Sequence, residues 1–365
     1  MVAVSVTNRP ARSTRPAAAS LAAVLLLLGG MSPGAQSSSS VEQLLRGRLG
    51  FSASDLRKLD EGSSVIRGLD TRIHEELANV GAVFVEALPG TILDRFRDIE
   101  RFEKGPGIPQ IGRFSNPPRL EDLQSLTFTR EDIEGLRDCR PGNCDVKLSE
   151  AAMQRFQHEV NWSSGDASEQ ANNVLRQMVL DLVVAYQRDG NASLGYYDDG
   201  KRPLPIAYEF RALLAATDPL PTPVPTLLAY LDSYPLGRPA GAEDFFYWTV
   251  VDFGLKLTIR VNHVALYPVA SRQESGVAHV IAIKQLYASH YFHTTLELRF
   301  LMDGDRTSAE SGTSLISITR SRSDGMTGFK GFILRPIIRR RSREAVRKYL
   351  EHVKRQVERP GAGDS

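Results

Sequence analysis

The sequence predicts an α+β protein in which helices dominate the first part and an antiparallel sheet and a long helix form the last part. Apolar residues recur at helical spacing in several segments before residue 242, and they alternate every second residue in five segments after it. The segment 341–358 then returns to helical spacing. The chain has 365 residues, of which 42% are hydrophobic, so it can bury a large core.

The first 37 residues have the layout of a secretory signal peptide. Arg9, Arg12 and Arg15 precede the apolar run AAASLAAVLLLLGG, and small residues follow it around Ala35. The run is shorter than the roughly 20 residues that a membrane-spanning helix needs. We therefore expect residues 1–37 to be removed on export to the periplasm or the extracellular space. An N-terminal segment that stays uncleaved and anchors the protein to the membrane is the alternative.

The next three regions are expected to be a helical segment, a segment of strand and helix, and a mostly helical segment. Residues 38–62 form a helical lead segment in two pieces, with Ser52 or Ser54 as an N-cap. Residues 63–104 hold the first strand or strands, ending in GAVFVEA, and then the helix LPGTILDRFRDIERF, where Pro89 suits the first turn. Residues 105–241 are predicted to be mostly helical, with the clearest helix at SEQANNVLRQMVLDLVVAYQRDG.

Residues 242–358 are predicted to form a five-stranded antiparallel meander and a C-terminal helix. The strands are expected at DFFYWTVVDF, LKLTIRVNHVALYPV, GVAHVIAIKQLYAS, HYFHTTLELRFLMD and GTSLISITRSR, with short turns between them. The helix RSREAVRKYLEHVKRQVE carries an apolar stripe of Val346, Leu350, Val353 and Val357. Residues 359–365 are expected to be a disordered tail.

This order of elements resembles the helix-grip fold of the START-like superfamily, also called the polyketide cyclase/dehydrase and lipid-transport (SRPBCC) superfamily. The segments that carry the resemblance are GAVFVEALPGTILDRFRDIERF, the meander, and GFKGFILRPIIRRRSREAVRKYLEHVKRQVE. It implies a sheet wrapped around the C-terminal helix, an apolar cavity between them, and binding of lipids, sterols, polyketides or other hydrophobic molecules. Residues 105–241 depart from the family pattern, and we interpret them as an inserted helical lobe.

The two cysteines, Cys139 and Cys144, favour a structural disulfide. The Pro-Gly between them in DCRPGNCDV indicates a tight turn that brings the two Cα atoms within bonding distance. An oxidising compartment allows such a bond, in agreement with export. Free thiols, or a redox or metal role, remain the alternatives, although this loop lacks both the C-x-x-C spacing and the further ligands that those roles need.

Polar residues at inward-facing strand positions are the candidate ligand-binding residues. His263 lies in the apolar alternation of one strand, His290 heads that of a later strand, and Arg320 follows Ile316 and Ile318 on the same parity. A cluster of these three at a cavity mouth would orient the polar head of an apolar ligand, with the guanidinium gripping a carboxylate or phosphate. The alternative is a core histidine satisfied by the backbone and an arginine at an exposed strand end.

Two aromatic residues, Trp248 and Tyr287, are further candidates for ligand contact, with core packing as the alternative for the aromatic run DFFYW. The pair His290 and His293 is not expected to bind a metal, because alternate strand residues point to opposite faces. In that strand we expect the apolar set, which includes Leu296, to face the core or cavity. The polar set, which includes Glu297, is expected to face solvent or the helical lobe.

Three functions remain open. The first is an exported protein that binds or carries a hydrophobic ligand such as a membrane lipid. The second is an enzyme that uses His263 or His290 as a base, and the third is an envelope scaffold without a ligand. The net charge of +2 gives no reason to expect nucleic acid as a partner, and no cofactor motif occurs. The basic C-terminal helix indicates an anionic membrane or an acidic protein as a further partner.

Overall fold

The computed structural model describes residues 40–71, 73, 75–105, 107–217, 224–254, 256–270, 272–304, 312–323 and 328–358. All of them belong to the unit Ser38–Ser365. The expected signal peptide at 1–37 and the expected tail at 359–365 lie outside the described residues.

The described part of the chain contains eleven α-helices. They are α1 (Ser40–Gly47), α2 (Ala53–Asp60), α3 (Pro89–Arg97), α4 (Ile99–Glu103), α5 (Arg130–Leu136), α6 (Glu150–Glu159), α7 (Ala167–Asp189), α8 (Ile206–Ala215), α9 (Val224–Ser233), α10 (Arg272–Ser275) and α11 (Gly328–Glu358). Two 3-10 helices lie at Leu120–Leu123 and Gly190–Ser193. The α7 helix matches the strongest helix predicted from the sequence.

Eight strands form one antiparallel sheet, and two more form a small ribbon. The strands are β1 (Val65–Gly68), β2 (Glu76–Val85), β3 (Gln110–Arg113), β4 (Tyr196–Tyr197), β5 (Leu204–Pro205), β6 (Glu243–Asp252), β7 (Leu257–Pro268), β8 (Val277–Ala288), β9 (Phe292–Asp303) and β10 (Thr313–Ser323). The order in the sheet is β1-β2-β10-β9-β8-β7-β6-β3, and β4 pairs with β5. The α+β class and the large antiparallel sheet are therefore confirmed.

Local sequence signals account for several element ends. The Ser52 hydroxyl accepts a hydrogen bond from the Asp55 backbone, and the Asp55 carboxylate accepts one from the Ser52 backbone, which is a capping box at the start of α2. Pro89 opens α3, where its missing N–H is not needed. The single helix predicted for 88–102 is wrong, because Asp98 has a non-helical ψ of 64° and separates α3 from α4.

Each face of the sheet is covered by different helices. On one face, Trp248, Val261, Leu286, Leu298 and Phe300 pack against residues of α5 to α9 and the lead helix α1. On the other face, Val83, Tyr247, Val264, Ile283 and Leu315 pack against α3, α4 and the apolar stripe of α11. The stripe predicted for the C-terminal helix is buried here. We call these the lobe face and the α11 face.

The alternation along β9 was predicted correctly and its apolar set is buried as expected, but Glu297 and Arg299 of the polar set do not face solvent or the lobe. Leu296, Leu298 and Phe300 lie on the lobe face, against Phe210 and Leu213 of α8. Glu297 and Arg299 lie under α4 and α11 instead, whereas His293 contacts Glu209 of the lobe helix α8. Arg299 is 4% exposed, donates to Glu103 Oε1 at 3.0 Å and lies 4.0 Å from the ring centre of Tyr349. The interior beneath α11 therefore contains a buried ion pair as well as apolar side chains.

The C-terminal helix begins earlier than the sequence suggested. The predicted start was residue 341, whereas α11 begins at Gly328 and includes Pro336. A proline inside a helix removes one backbone hydrogen bond, and this signal favoured the later start. As a result, residues 339–343 lie in the middle of the helix and not at its positive N-terminal end.

Candidate functional site

A pocket of about 290 Å³ lies on the lobe face. Its walls come from α6, α7 and the segment 193–197, while Ile206 of α8 and Leu286 and Tyr287 of β8 complete it. The lining residues are Leu148, Ser149, Ala152, Met178, Val179, Asp181, Leu182, Ala185, Ser193, Leu194, Gly195, Tyr196, Tyr197, Ile206, Leu286 and Tyr287. The segment predicted to be an inserted helical lobe thus forms most of this pocket, and β8 forms its floor.

Several polar groups around the pocket, those of Ser193, Tyr197 and Asp181, are already engaged within the protein. The Ser193 hydroxyl donates to the Gly190 carbonyl at 2.8 Å, and the Tyr197 hydroxyl accepts from the Ala288 backbone at 3.0 Å. The Asp181 carboxylate accepts from Arg155 at 3.2 Å and from Gln177 at 2.8 Å. The surface offered to a guest molecule is therefore mainly apolar.

Tyr287 is the one sequence-predicted ligand residue that lines the pocket. It is 5% exposed, and no described residue forms a hydrogen bond with its hydroxyl. Burial raises the pKa of Tyr287 well above its ordinary value, so the phenol is neutral at physiological pH. Its ring lies 6.2 Å from that of Tyr197, and the two aromatic rings form one side of the pocket.

His263 belongs to a buried chain of polar groups beside the pocket. Its Nε2 lies 2.9 Å from Asp244 Oδ1, and its Nδ1 lies 3.3 Å from the Tyr186 hydroxyl. Burial lowers the pKa of His263 and outweighs the carboxylate, so the imidazole is neutral. In the tautomer that satisfies both partners, Nε2–H donates to Asp244 and Nδ1 accepts from Tyr186.

Lys284 ends this chain and is fully buried. Its ammonium donates to the Tyr186 hydroxyl at 3.0 Å, to the Leu231 carbonyl at 3.1 Å and to the Asn191 side-chain oxygen. It also lies 4.0 Å from the ring centre of Phe210. Burial lowers the pKa of Lys284 well below its ordinary value. The chain joins β6, β7 and β8 to helices of the lobe, which indicates a structural role at this interface.

The two histidines of the HxxH stretch also contact carboxylates of the lobe. His290 Nε2 lies 3.0 Å from Asp132 Oδ1 of α5, and its Nδ1 lies 3.0 Å from the Asp145 carbonyl. Burial acts to raise the pKa of Asp132, but the hydrogen bond from His290 lowers it below its ordinary value. His293 Nδ1 lies 3.4 Å from Glu209 Oε2 of α8. The two rings thus contact different helices.

Arg320 forms a buried ion pair on β10 and β2. Its Nε donates to Glu76 Oε1 at 2.6 Å, and Glu76 is fully buried. Trp248 is also fully buried, and its indole N–H donates to the Asp122 carbonyl at 2.9 Å. Neither residue lines the pocket. The contacts of Trp248 are those of core packing, whereas Arg320 is 6% exposed and does not lie at the exposed strand end that was its alternative.

The structure therefore does not assemble the predicted cluster of His263, His290 and Arg320. Each has its own carboxylate partner, and none of the three lines the pocket. His263 and Arg320 do share one row across the sheet, but Lys284 of β8 and Leu296 of β9 lie between them. At about 4.8 Å per strand, that row separates them by about 14 Å.

Sequence reasoning missed Lys284, although a signal for it was present. In β8 the residues Val280, Ala282 and Lys284 share one parity, so a lysine occupies an inward position. Ala152, Met178 and Ala185, which line the pocket, were also missed. They lie on the inner sides of lobe helices and carry no chemical signature beyond apolar spacing.

The predicted disulfide is confirmed. Cys139 and Cys144 are bonded, and their Cα atoms lie 4.6 Å apart. Gly142 has a φ of +81°, which glycine adopts readily and which closes the turn between them. In the part of the chain that the structure describes, no helix is both long and apolar enough to cross a membrane.

Comparisons with known proteins give one weak likeness. No protein-family model and no curated protein matches the chain. The chain is similar to the solved structure of the ZhuI aromatase/cyclase from Streptomyces sp. R1128, at 18% sequence identity and a TM-score of 0.24. The match covers 44% of this chain and 92% of that one.

Proposed function

We propose that this protein binds a small hydrophobic molecule in the pocket between α6, α7 and β8. The observation that supports this most strongly is the largely apolar lining of the pocket, in which Ser193, Tyr197 and Asp181 are held by other protein groups. The volume of about 290 Å³ is at the small end of the range for ligand pockets, roughly 300–1,000 Å³. This size suits one ring system or one short acyl chain better than a two-chain membrane lipid.

We further propose a helix-grip core in which the sheet wraps α11, with residues 105–241 as a lobe that supplies the ligand pocket. The burial of the α11 stripe against β2 and its neighbours supports the core arrangement. In this proposal the pocket lies on the lobe face, whereas the family resemblance implied a cavity under α11. The buried pair of Arg299 and Glu103 supports a packed interior there.

We also propose export to an oxidising compartment. The disulfide between Cys139 and Cys144 supports it, because such bonds persist outside the reducing cytosol. The base roles of His263 and His290 receive no support from the pocket, because neither residue lines it. Ligand binding is therefore favoured over catalysis in the cavity as the function of this protein.

The test is native mass spectrometry of the protein purified from its own host, followed by solvent extraction. We expect a co-purifying apolar molecule at a ratio near one to one. Ala185→Phe, which fills the pocket from α7, should abolish it. Val184→Phe is the matched control, since Val184 is the neighbouring residue on α7 and is 46% exposed. A protein that stays empty, even after incubation with membrane extract, would contradict the proposal and favour the scaffold function.

A further inference from the structure

The solvent-facing side of α11 carries a dense set of cations that the ligand pocket does not involve. The exposed basic residues are Arg339, Arg340, Arg341, Arg343, Arg347, Lys348 and Arg355, and the acidic residues of the same stretch are Glu344 and Glu351. Seven positive charges against two negative ones leave an excess of five. The set extends over 17 residues of helix, or about 25 Å. We call this set the basic face.

Much of this charge is not neutralised within the protein. Arg347 and Arg355 lie 3.8 and 3.9 Å from Glu344 and Glu351, respectively. Among the residues that the structure describes, Arg339, Arg340 and Arg343 form no ion pair. A helix needs charged residues on its exposed side for solubility, but that need is met equally by mixed signs. Cations that lie close together on one helix repel each other, and an anionic partner would reduce this repulsion.

The residue types of the basic face indicate which kind of partner fits it. Val346 and Leu350 of α11 are buried, whereas all seven cations of the basic face are exposed and accessible to an anionic surface. Ile337, two residues before Arg339, is 43% exposed. Clustered arginines together with an exposed apolar side chain on one helix are typical of contact with the headgroup layer of a membrane.

We propose that the basic face docks the protein on a bilayer of anionic phospholipid. Guanidinium groups bind phosphate through paired hydrogen bonds, and attraction to an anionic surface increases affinity about fivefold for each arginine. The three arginines without a described ion pair, Arg339, Arg340 and Arg343, should therefore contribute about 100-fold together. Docking here leaves the ligand pocket on the opposite side of the sheet.

The experiment is co-sedimentation of the purified protein with vesicles of phosphatidylcholine alone and with vesicles that also contain phosphatidylglycerol. We expect binding only to the anionic vesicles, and weaker binding as salt rises. The triple variant Arg339→Gln, Arg340→Gln, Arg343→Gln should bind about 100-fold more weakly. Circular dichroism of each variant checks that the fold is retained.

The control removes the same charge from another surface. Arg130, Arg188 and Arg211 are 92, 75 and 63% exposed, and their replacement by glutamine should leave vesicle binding within about twofold of wild type. Equal binding to neutral vesicles, or equal losses in both triple variants, would overturn the proposal. Binding to polyglutamate with no binding to anionic vesicles would also overturn it and would indicate an acidic protein as the partner.

Discussion

Replacement of Arg320 by methionine should destabilise the protein in a strongly pH-dependent way. Glu76 is fully buried, and Arg320 Nε and a terminal nitrogen both lie 2.6 Å from its Oε1. Burial already raises the pKa of Glu76 even though Arg320 lowers it. Arg322, which also lowers the pKa of Glu76, is held by Glu209 at 2.5 Å. Without Arg320, the Glu76 carboxyl must therefore bind a proton in order to stay buried.

The free-energy cost of keeping Glu76 protonated in the folded variant depends on the pH. The ordinary pKa of the carboxyl is 4.5, and each pH unit above it costs about 1.4 kcal/mol. At pH 7 the free energy of unfolding should fall by about 3–4 kcal/mol, in line with the loss of one partner of a buried pair. At pH 5 the loss should be only about 1 kcal/mol. In Arg320→Met the folded-state pKa of Glu76 is raised, so the free energy of unfolding falls as pH rises above the ordinary pKa of 4.5.

Urea denaturation of wild type and Arg320→Met at pH 7 and pH 5 measures these losses. The double variant Glu76→Gln, Arg320→Met is the control. It removes the titrating carboxyl, so its loss relative to wild type should change much less between the two pH values. A loss below about 1 kcal/mol at pH 7, or a loss that is the same at both pH values, would refute the assignment of a buried ion pair.

Three further predictions concern the disulfide, His263 and Gly190. Reduction of Cys139–Cys144 should lower the free energy of unfolding by about 2 kcal/mol, because the bond closes only a short loop, and urea titration with and without dithiothreitol measures this. Burial holds the pKa of His263 below the 6.5 of the unfolded chain. As pH falls through 6.5, the unfolded chain therefore binds more protons than the folded protein. The free energy of unfolding should then fall by up to about 1.4 kcal/mol per pH unit. If His263→Gln shows the same pH dependence as wild type, the prediction is contradicted. Gly190→Ala should lower the free energy of unfolding by at least about 2 kcal/mol, because φ is +58° and the added Cβ would overlap the Tyr234 carbonyl oxygen. A melting temperature equal to that of wild type would contradict this prediction.

The sequence allowed the meander to be predicted with good accuracy. Each of the strands β6 to β10 lies within about two residues of its predicted bounds. Alternation with a period of two is a local property, and Gly-containing or polar turns separate the segments. The same reasoning placed α7 within one residue at each end, because Gly190 terminates it.

The partner of each polar side chain was not predictable in the same way. Arg320 pairs with Glu76, 244 residues earlier, and His290 pairs with Asp132, 158 residues earlier. Alternation shows that a residue faces inward, but it does not show which helix covers that face of the sheet. For this reason Glu297 and Arg299 were predicted to face solvent or the lobe, whereas they lie beneath α4 and α11.

A crystal structure of the protein purified from its own host tests the ligand pocket most directly. We predict electron density for a small apolar molecule between Ala152, Ala185 and Tyr287, in the pocket of the lobe face. A ligand bound beneath α11, beside Arg299 and Tyr349, would contradict the account and place the site in the interior that the family resemblance implied. A pocket on the lobe face that is closed by the surrounding side chains would also contradict the proposed ligand binding.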